Sequence, residues 1–121
     1  DHCKAVNDTH GHQVGDEVLR AVSGRCQKTL RTSDVLGRYG GEEFILVFPE
    51  TAMKDAHVVA ERVRAAVAGT PVVVGDKSLD VTVSIGLASL ANGEDVGGLI
   101  ARADTALYAA KGSGRNRVLA S

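Results

Sequence analysis

The segment Gly40-Gly41-Glu42-Glu43-Phe44 lies between two strand-like runs, residues 35–39 before it and 44–48 after it. A Gly-Gly pair in this position predicts a tight hairpin turn, because the favoured two-residue turns need positive φ angles that glycine adopts without strain. Two adjacent carboxylates follow, and they repel each other unless a cation or a donor lies nearby. Carboxylate oxygens are the ligands that magnesium-type ions prefer, and the glycines leave room for a bulky ligand. The hairpin therefore predicts a ligand site.

Helical and strand-like segments alternate on both sides of this hairpin. Apolar residues at helical spacing predict helices, and short apolar runs between turn residues predict strands. The strand at 44–48 is apolar on both faces and is expected to be central. These patterns predict an α/β (α+β) fold, with a mixed central β-sheet flanked by helices, in a single domain over residues 1–121. Predicted helices cover residues 15–30, 55–69 with Asp55 as N-cap, and 95–110, and predicted strands cover 35–39, 44–48, 72–74, 79–87 and 117–119.

Composition and charge exclude several classes of protein. The chain has 121 residues, of which 44% are hydrophobic, and this is enough for a sizeable core. The formal net charge of −1 argues against a dedicated binder of nucleic acid polymers. Cys3 and Cys26 form no CxxC motif, which is typical of free thiols in a reducing compartment. Since no apolar run has membrane-spanning length, we expect a soluble cytoplasmic protein.

Several further motifs follow one another along the chain in a fixed order. Together with the hairpin they resemble the GGDEF domain of diguanylate cyclases, in a variant with Glu at the third position. The resemblance implies a nucleotide-cyclase (palm-like) fold and a bacterial signalling enzyme that condenses two GTP molecules into cyclic di-GMP and two pyrophosphates. Each domain of a facing homodimer would hold one GTP. The motifs are Asp1-His2-Cys3-Lys4, Asn7-Asp8, Gly11-His12, Gly15-Asp16-Glu17, Arg38 to Phe44, Val83-Ser84-Ile85-Gly86, Arg102-Ala103-Asp104, Lys111 and Gly114-Arg115-Asn116.

The resemblance assigns roles around the reacting phosphates. Glu42 matches a metal ligand and proton acceptor, and Glu43 a second acid that holds the metal, with Mg²⁺ or Mn²⁺ as the cofactor. Lys4 matches a catalytic lysine that offsets charge at the phosphates. Lys111 and Arg115 match residues that bind the terminal phosphate, a role that suits cations on a loop after a helix. The alternatives are a solvated pair of turn carboxylates and, for Lys111, a cation that complements the helix dipole.

Other matched positions lie on the guanine side of the substrate. Asn7, His12 and Asp16 correspond to guanine-binding positions, and Gly40 and Gly41 correspond to substrate-binding positions. An amide and a carboxylate can read the edge of guanine, the carboxylate accepting from the ring N–H and the amino group together. The alternatives are a turn at Asn7 and, for Asp16, an acid that favours the start of a helix.

The segment Arg31-Thr32-Ser33-Asp34 directly precedes the first strand of the hairpin. It resembles the RxxD inhibitory site of the family, where the product cyclic di-GMP binds and stops the enzyme. Arginine can stack on guanine and bind its Hoogsteen edge, while aspartate can accept from N1 and the amino group. Arg62, on the second predicted helix, matches a position that often supplies a second arginine. The alternative for Arg31 and Asp34 is a cation at a helix end followed by a turn aspartate.

The chain also departs from the family pattern. The family usually begins this region with Asp-x-Asp at the end of a first strand, and Asp1 matches the second Asp. The metal-binding Asp and its strand are therefore expected ahead of residue 1, so the fragment alone is expected to be weak or inactive within an active parent protein. Cys3 replaces an aromatic residue. An upstream sensory or receiver domain is expected to pair two copies, and a membrane anchor in the parent protein is left open.

Two other functions remain open at this point. One is a catalytically impaired module that senses cyclic di-GMP through Arg31 and Asp34. The other is a structural interaction domain that uses the cyclase fold and binds no guanine nucleotide. The presence of Asn7, Asp16 and Arg115 argues against the second of these.

Overall fold

The computed structural model describes the backbone of residues 1–121 and the side chains of all residues except Lys4. Helices and strands are mixed along the chain, which confirms the predicted α+β class. In chain order the elements are α1 (Cys3–His10), α2 (His12–Thr29), β1 (Val35–Gly40), β2 (Glu43–Val47), α3 (Met53–Ala68), β3 (Val72–Val74), β4 (Lys77–Leu79), β5 (Ile85–Leu87), α4 (Val96–Gly112) and β6 (Val118–Ala120).

The strands of the described chain form three two-stranded sheets, where the sequence predicted one mixed central sheet. The pairs β1–β2 and β3–β4 are antiparallel, and β5–β6 is parallel. The strand predicted at 79–87 divides into β4 and β5, because residues 80–84 have no ladder partner within the described chain. Strand β2, predicted to be central, pairs with β1 alone, so Val35 and Val47 on the same face of the hairpin are 56% and 48% exposed.

Helix α1 was not predicted, and α2 begins three residues earlier than expected. The two helices meet at Gly11, whose φ of 89° and N–H bond of 2.8 Å to the Asn7 carbonyl end α1. The apolar residues Cys3 and Val6 face inward on the short, polar α1, which gives a weak periodic signal. Helix α3 begins after Ala52, and Asp55, predicted to be its cap, lies in its first turn. Asp95 does cap α4, accepting from the Gly98 N–H at 2.8 Å.

The main core lies between α2 and α3 and extends under the hairpin. Both helices contribute valines that are at most 4% exposed, and the Cys26 thiol is buried beside them. Leu36, Phe44 and Leu46 cover the same cluster from the hairpin side. The packing fixes the N-terminal half of α2 beside the hairpin. The buried members are Val18, Val22, Cys26, Val63, Val67, Val72 and Val81.

The N-terminal half of the same α3 face packs on the parallel strands. Ala56 and Ala60 meet Leu87 of β5 and Val118 of β6 in a second buried cluster. Small residues allow this close approach, and Gly86 shows how close it is, since an added Cβ there would lie 2.1 Å from the Ala103 carbonyl oxygen of α4. Helix α4 and the loop after it are thereby held against the rest of the chain.

Candidate functional site

The hairpin turn lies one residue later than the sequence predicted. Residues 41 and 42 form the turn, and the pairs Arg38–Phe44 and Gly40–Glu43 leave Tyr39 in a bulge. Gly41 has the positive φ, 27°, and Gly40 does not. Glu42 is therefore exposed in the turn itself, whereas Glu43 is the first, half-buried residue of β2. Nothing within 4 Å would meet a Cβ at either glycine, so a ligand can approach the backbone here.

Three predicted phosphate-site residues act on the start of α1. The Asn116 N–H, in the Arg115 loop, donates to the Asp1 carboxylate at 3.2 Å just before α1. Burial raises the pKa of the Cys3 thiol, and the charge of Glu42 raises it further while the charge of Lys111 lowers it. Glu42 and Lys111 therefore lie near Cys3 in the first turn of α1, and the Arg115 loop contacts the residue Asp1 that precedes it. The N–H groups of a first helical turn also favour anions.

Arg115 lies in a loop with unusual backbone angles. Gly114, Arg115 and Asn116 have φ values of 120°, 63° and 46°. Left-handed conformations at the two non-glycine residues cost about 1–3 kcal/mol each, so neighbouring contacts must hold them. The Arg115 N–H donates to the Ala110 carbonyl at 3.0 Å, and Arg64 Nη1 donates to Asn116 Oδ1 at 2.9 Å. Strain of this kind is common in segments that hold a ligand.

Asp1 ties this loop to the segment before β5, a role that sequence reasoning did not assign. Its carboxylate accepts from Thr82 Oγ1 at 2.7 Å, from Ser84 Oγ at 2.8 Å and from the Asn116 N–H at 3.2 Å. Three donors from two distant segments make Asp1 a structural acceptor. The polar residues that alternate at 82 and 84 within an apolar run were the available signal.

The predicted guanine-side residues lie where α1 and α2 meet. Asn7 belongs to α1, so the alternative of a turn at this residue is excluded. Its Oδ1 is buried and has no hydrogen-bond partner among the described residues, which costs roughly 1–3 kcal/mol. His12 and Asp16 are exposed and one turn apart on α2. An unsatisfied buried amide beside an exposed carboxylate is the arrangement of a polar ligand site.

Asp16 and the signature hairpin line one open groove of about 660 Å³. Helix α2 forms one wall and β1–β2 the other, and this volume falls in the range of small-molecule sites. The cations Arg20 and Arg38 lie along it, although the Arg38 side chain also donates through Nε to the Gly41 carbonyl at 2.9 Å. The groove therefore joins Asp16 to the strands of the hairpin, and its lining includes neither Asn7 nor the turn residues Gly41 and Glu42.

The metal prediction is met only in part by the described residues. Among them, no group of three or more His, Cys, Asp or Glu side chains is arranged to hold a metal ion. Glu42 and Glu43 supply two carboxylates, and Mg²⁺ at nucleotide sites is often held by one or two carboxylates together with substrate phosphates. The side chains alone therefore do not complete a metal site. The side chain of Lys4, predicted to offset phosphate charge, lies outside the described residues.

The Arg31–Asp34 pair is a second polar centre, between α2 and β1. Asp34 is buried, and its carboxylate accepts from Arg31 Nη2 at 2.9 Å, Nε at 3.1 Å and the backbone N–H at 2.9 Å. The hydrogen bonds from Arg31 hold the pKa of Asp34 below its usual value and raise the pKa of Arg31. Arg31 also donates to Thr51 Oγ1 at 2.7 Å. Arg62 is exposed on α3, and no described hydrogen bond joins it to this pair.

A comparison of the sequence with family models now decides the family. The model described as the diguanylate cyclase GGDEF domain matches residues 1–117. The chain belongs to the GGDEF family. It is 47% identical over 122 residues to the response regulator PleD of Caulobacter vibrioides, and the match covers 98% of this chain and 27% of PleD. The chain thus spans about a quarter of the length of that curated relative.

Solved structures show the same fold. Diguanylate cyclase SiaD of Pseudomonas aeruginosa, in complex with its activator SiaC, superposes with a TM-score of 0.96 at 44% identity, over 100% of this chain and 46% of SiaD. The GGDEF domain of DgcB from Caulobacter crescentus, in complex with c-di-GMP, gives 0.94 at 40% identity, over 99% of this chain and 72% of that domain. The predicted resemblance and fold are confirmed. None of the described helices has the length and apolar character to cross a membrane.

Proposed function

We propose that this GGDEF chain is the catalytic unit of a diguanylate cyclase that condenses two GTP molecules into cyclic di-GMP and two pyrophosphates. The observation that carries the proposal is that Glu42 and Lys111 lie near Cys3 at the start of α1, where the Arg115 loop also donates from the Asn116 N–H to the Asp1 carboxylate at 3.2 Å. A structural domain without a substrate has no need to gather an exposed acid, two cations and a free helix start at one point. The strained backbone at Arg115 and Asn116 supports the same conclusion.

The charged residues of the site indicate how the phosphates of GTP are bound. Lys111 and Arg115 bind the terminal phosphate of GTP by charge-assisted hydrogen bonds, with Lys4 as a further cation and α1 N–H groups beside them. Gly40 and Gly41 leave the hairpin backbone open to the substrate. Mg²⁺ or Mn²⁺, held by Glu42, Glu43 and phosphate oxygens, would supply charge neutralisation when bound.

The hydrogen-bond donors and acceptors of the site indicate how the guanine base is bound. The Asp16 carboxylate accepts from the N1–H and amino group of guanine, and the Asn7 amide supplies the complementary polar group, with His12 at the rim. An adenine would place an acceptor where Asp16 also accepts. These residues therefore select guanine rather than purines in general.

The reaction needs two copies of the site. In each half, the 3′-oxygen of one GTP bonds to the α-phosphorus of the other, the bond from that phosphorus to pyrophosphate breaks, and Glu42 takes the hydroxyl proton. One chain holds one GTP, so the active unit is a homodimer with facing sites, paired by a sensory or receiver domain upstream in a longer protein. GTP supply places the reaction in the bacterial cytoplasm.

The Arg31–Asp34 pair is proposed as the site of product inhibition. The pair already shows the groups that guanine needs, a planar guanidinium and a carboxylate, and Arg31 is 49% exposed. Arg62, from this or a second chain, would add another cation. In the free chain Arg31 covers Asp34, so the product must displace the Arg31–Asp34 hydrogen bonds to bind both residues.

A second candidate function is a cyclic di-GMP sensor without cyclase activity. It is favoured by the incomplete metal site of the described side chains together with the intact Arg31–Asp34 pair. Both functions predict binding of cyclic di-GMP that Arg31→Ala weakens, so product binding alone does not separate them.

Turnover of GTP separates the two functions. The protein, expressed with its natural flanking sequence, is incubated with GTP and Mg²⁺, and cyclic di-GMP is measured by chromatography beside a Glu42→Gln variant. We expect product from the wild type and almost none from the variant. Cyclic di-GMP binding by calorimetry without any turnover would favour the sensor. Product binding that survives Arg31→Ala would remove the inhibitory site.

A further inference from the structure

We infer that Gly15 is a positioning residue for guanine recognition, because its missing side chain lets the Asn7 amide lie against α2 beside Asp16. The inference rests on the proposed function, since it concerns the base end of the same nucleotide site. It assigns a role to a residue that touches Asn7 and does not itself need to touch the nucleotide.

The contact between the two helices is extremely close at this point. Gly15 is buried in the first turns of α2, and Asn7 lies on the facing side of α1. A Cβ added to Gly15 would lie 1.6 Å from Asn7 Oδ1 and 2.8 Å from Asn7 Cγ. Real Cβ atoms do not approach other heavy atoms within 3.0 Å. The observed Asn7 conformation therefore requires glycine at position 15.

A methyl group at position 15 would displace the Asn7 side chain and leave the helices in place. The three atoms nearest to the added Cβ are Oδ1, Cγ and Nδ2, which all belong to the outer part of the Asn7 side chain. That group can rotate about its own bonds, whereas a backbone neighbour could not. Alanine also has a higher helix propensity than glycine. We therefore expect Gly15→Ala to change the orientation of the Asn7 amide and not the packing of the two helices.

The direction of the amide matters for the base. Asn7 Oδ1 is buried without a partner, so the amide is held by shape at Gly15 and not by hydrogen bonds among the described residues. Asp16 directly follows Gly15 on α2, so the backbone that the Asn7 amide contacts also carries the carboxylate proposed to bind guanine. A rotated amide would leave one polar group of guanine unpaired, and sites that hydrogen-bond their substrate discriminate through such groups.

A double-mutant cycle with a matched control tests the inference. The variants are Gly15→Ala, Asn7→Ala, both together, and Gly24→Ala, which lies on the same helix with nothing within 4 Å of its added Cβ. Calorimetry measures the affinity of each for non-hydrolysable GTP and ATP analogues with Mg²⁺. We expect Gly15→Ala to weaken the GTP analogue about tenfold, the loss of one hydrogen bond to the base, and to reduce the preference over the ATP analogue. Gly24→Ala should bind like the wild type.

The double variant should bind no more weakly than Asn7→Ala alone, because the methyl group then has nothing to displace. Additive losses, or wild-type affinity in Gly15→Ala, would overturn the inference. A wild-type protein that binds no guanine nucleotide would overturn the proposed function as well. The side-chain amide resonances of Asn7 in ligand-free protein give an independent readout: they should move in Gly15→Ala and stay in Gly24→Ala, and unmoved resonances overturn the positioning role whatever the nucleotide does.

The same set of variants provides a control for loss of folding. Should Gly15→Ala fail to fold, the double variant must fold, because Asn7→Ala removes the atoms that the methyl group meets. Failure of the double variant to fold would show that Gly15 serves the helix packing itself and would overturn the inference.

Discussion

The Arg31–Asp34 loop and the surroundings of α1 differ in whether their buried polar groups already have hydrogen-bond partners. Asp34 is buried and accepts three hydrogen bonds from Arg31, which in turn reaches Thr51. Around α1, the Asn7 oxygen is buried without a described partner, and the Arg115 loop has two left-handed residues. In the first region the buried carboxylate is hydrogen-bonded without a ligand, whereas the second region contains a buried oxygen without a described partner.

Because of this difference, we expect substitutions in the first region to change stability and substitutions in the second region to change activity. Removing a paired group leaves its partner unsatisfied and should weaken the fold. Removing a group that awaits a ligand should weaken activity and leave stability nearly unchanged, or even raise it. The four predictions below test that separation, and each uses a readout for the property that should stay constant.

The largest expected effect is on turnover at the hairpin. Glu42→Gln should lower the rate of cyclic di-GMP formation by about 10²- to 10⁴-fold, the usual contribution of a general base. Because Glu42 is exposed in the turn, the melting temperature should not change. The control is Asp76→Asn, an exposed acid in the turn between β3 and β4. A stable variant with full turnover would break the proposed role.

The next effect is on substrate affinity. Arg115→Ala should raise KM for GTP by about 10- to 100-fold, because a charge-assisted hydrogen bond to phosphate contributes about 1.5–3 kcal/mol. It also removes the side chain, not the left-handed backbone, so the melting temperature should change little. Lys28→Ala, an exposed cation at the far end of α2, is the control. Equal KM values in steady-state assays of both variants would contradict the assignment.

These two predictions concern residues that were selected as candidates from the sequence alone, and the reason is local. Charged and glycine motifs are recognised by residue type and order, independently of element boundaries. Glu42, Arg115, Arg31 and Asp34 could therefore be proposed as site residues although the hairpin turn was placed one residue early. The α+β class was likewise predictable, since the long helices have strong apolar periodicity.

Features that depend on packing between distant segments were not predictable. Nothing in the local sequence tells that the Asn7 amide lies on Gly15, or that Asp1 accepts from Thr82 and Asn116, because both contacts exist only after the helices and loops have packed. The split of the strand at 79–87 has the same origin, since a strand depends on its ladder partner more than on its own sequence.

The third prediction concerns the fully paired region. Asp34→Asn should lower the free energy of unfolding by about 1.5–3 kcal/mol, the contribution of hydrogen bonds to a charged group. Urea denaturation measures this change, and Asp76→Asn again serves as the control. An equally large loss for Glu42→Gln would erase the contrast between the two regions.

The smallest expected effect is on the pH dependence of the melting temperature. A surface ion pair, Glu94–Arg102, serves as the reference. Glu94 accepts from Arg102 Nε at 2.7 Å and Nη2 at 2.6 Å, and these bonds lower its pKa from 4.5 to about 2. Because the folded pKa is the lower one, the stabilisation is present above about 4.5 and is lost as the pH falls through about 2. The difference in melting temperature between the wild type and Glu94→Gln should therefore shrink between pH 5 and pH 2. Asp34, whose pKa is lowered in the same direction, should give the same trend in Asp34→Asn. A melting-temperature difference for Asp34→Asn that does not change with pH would show that the Arg31–Asp34 pair contributes no stability, and the contrast between the two regions would fail.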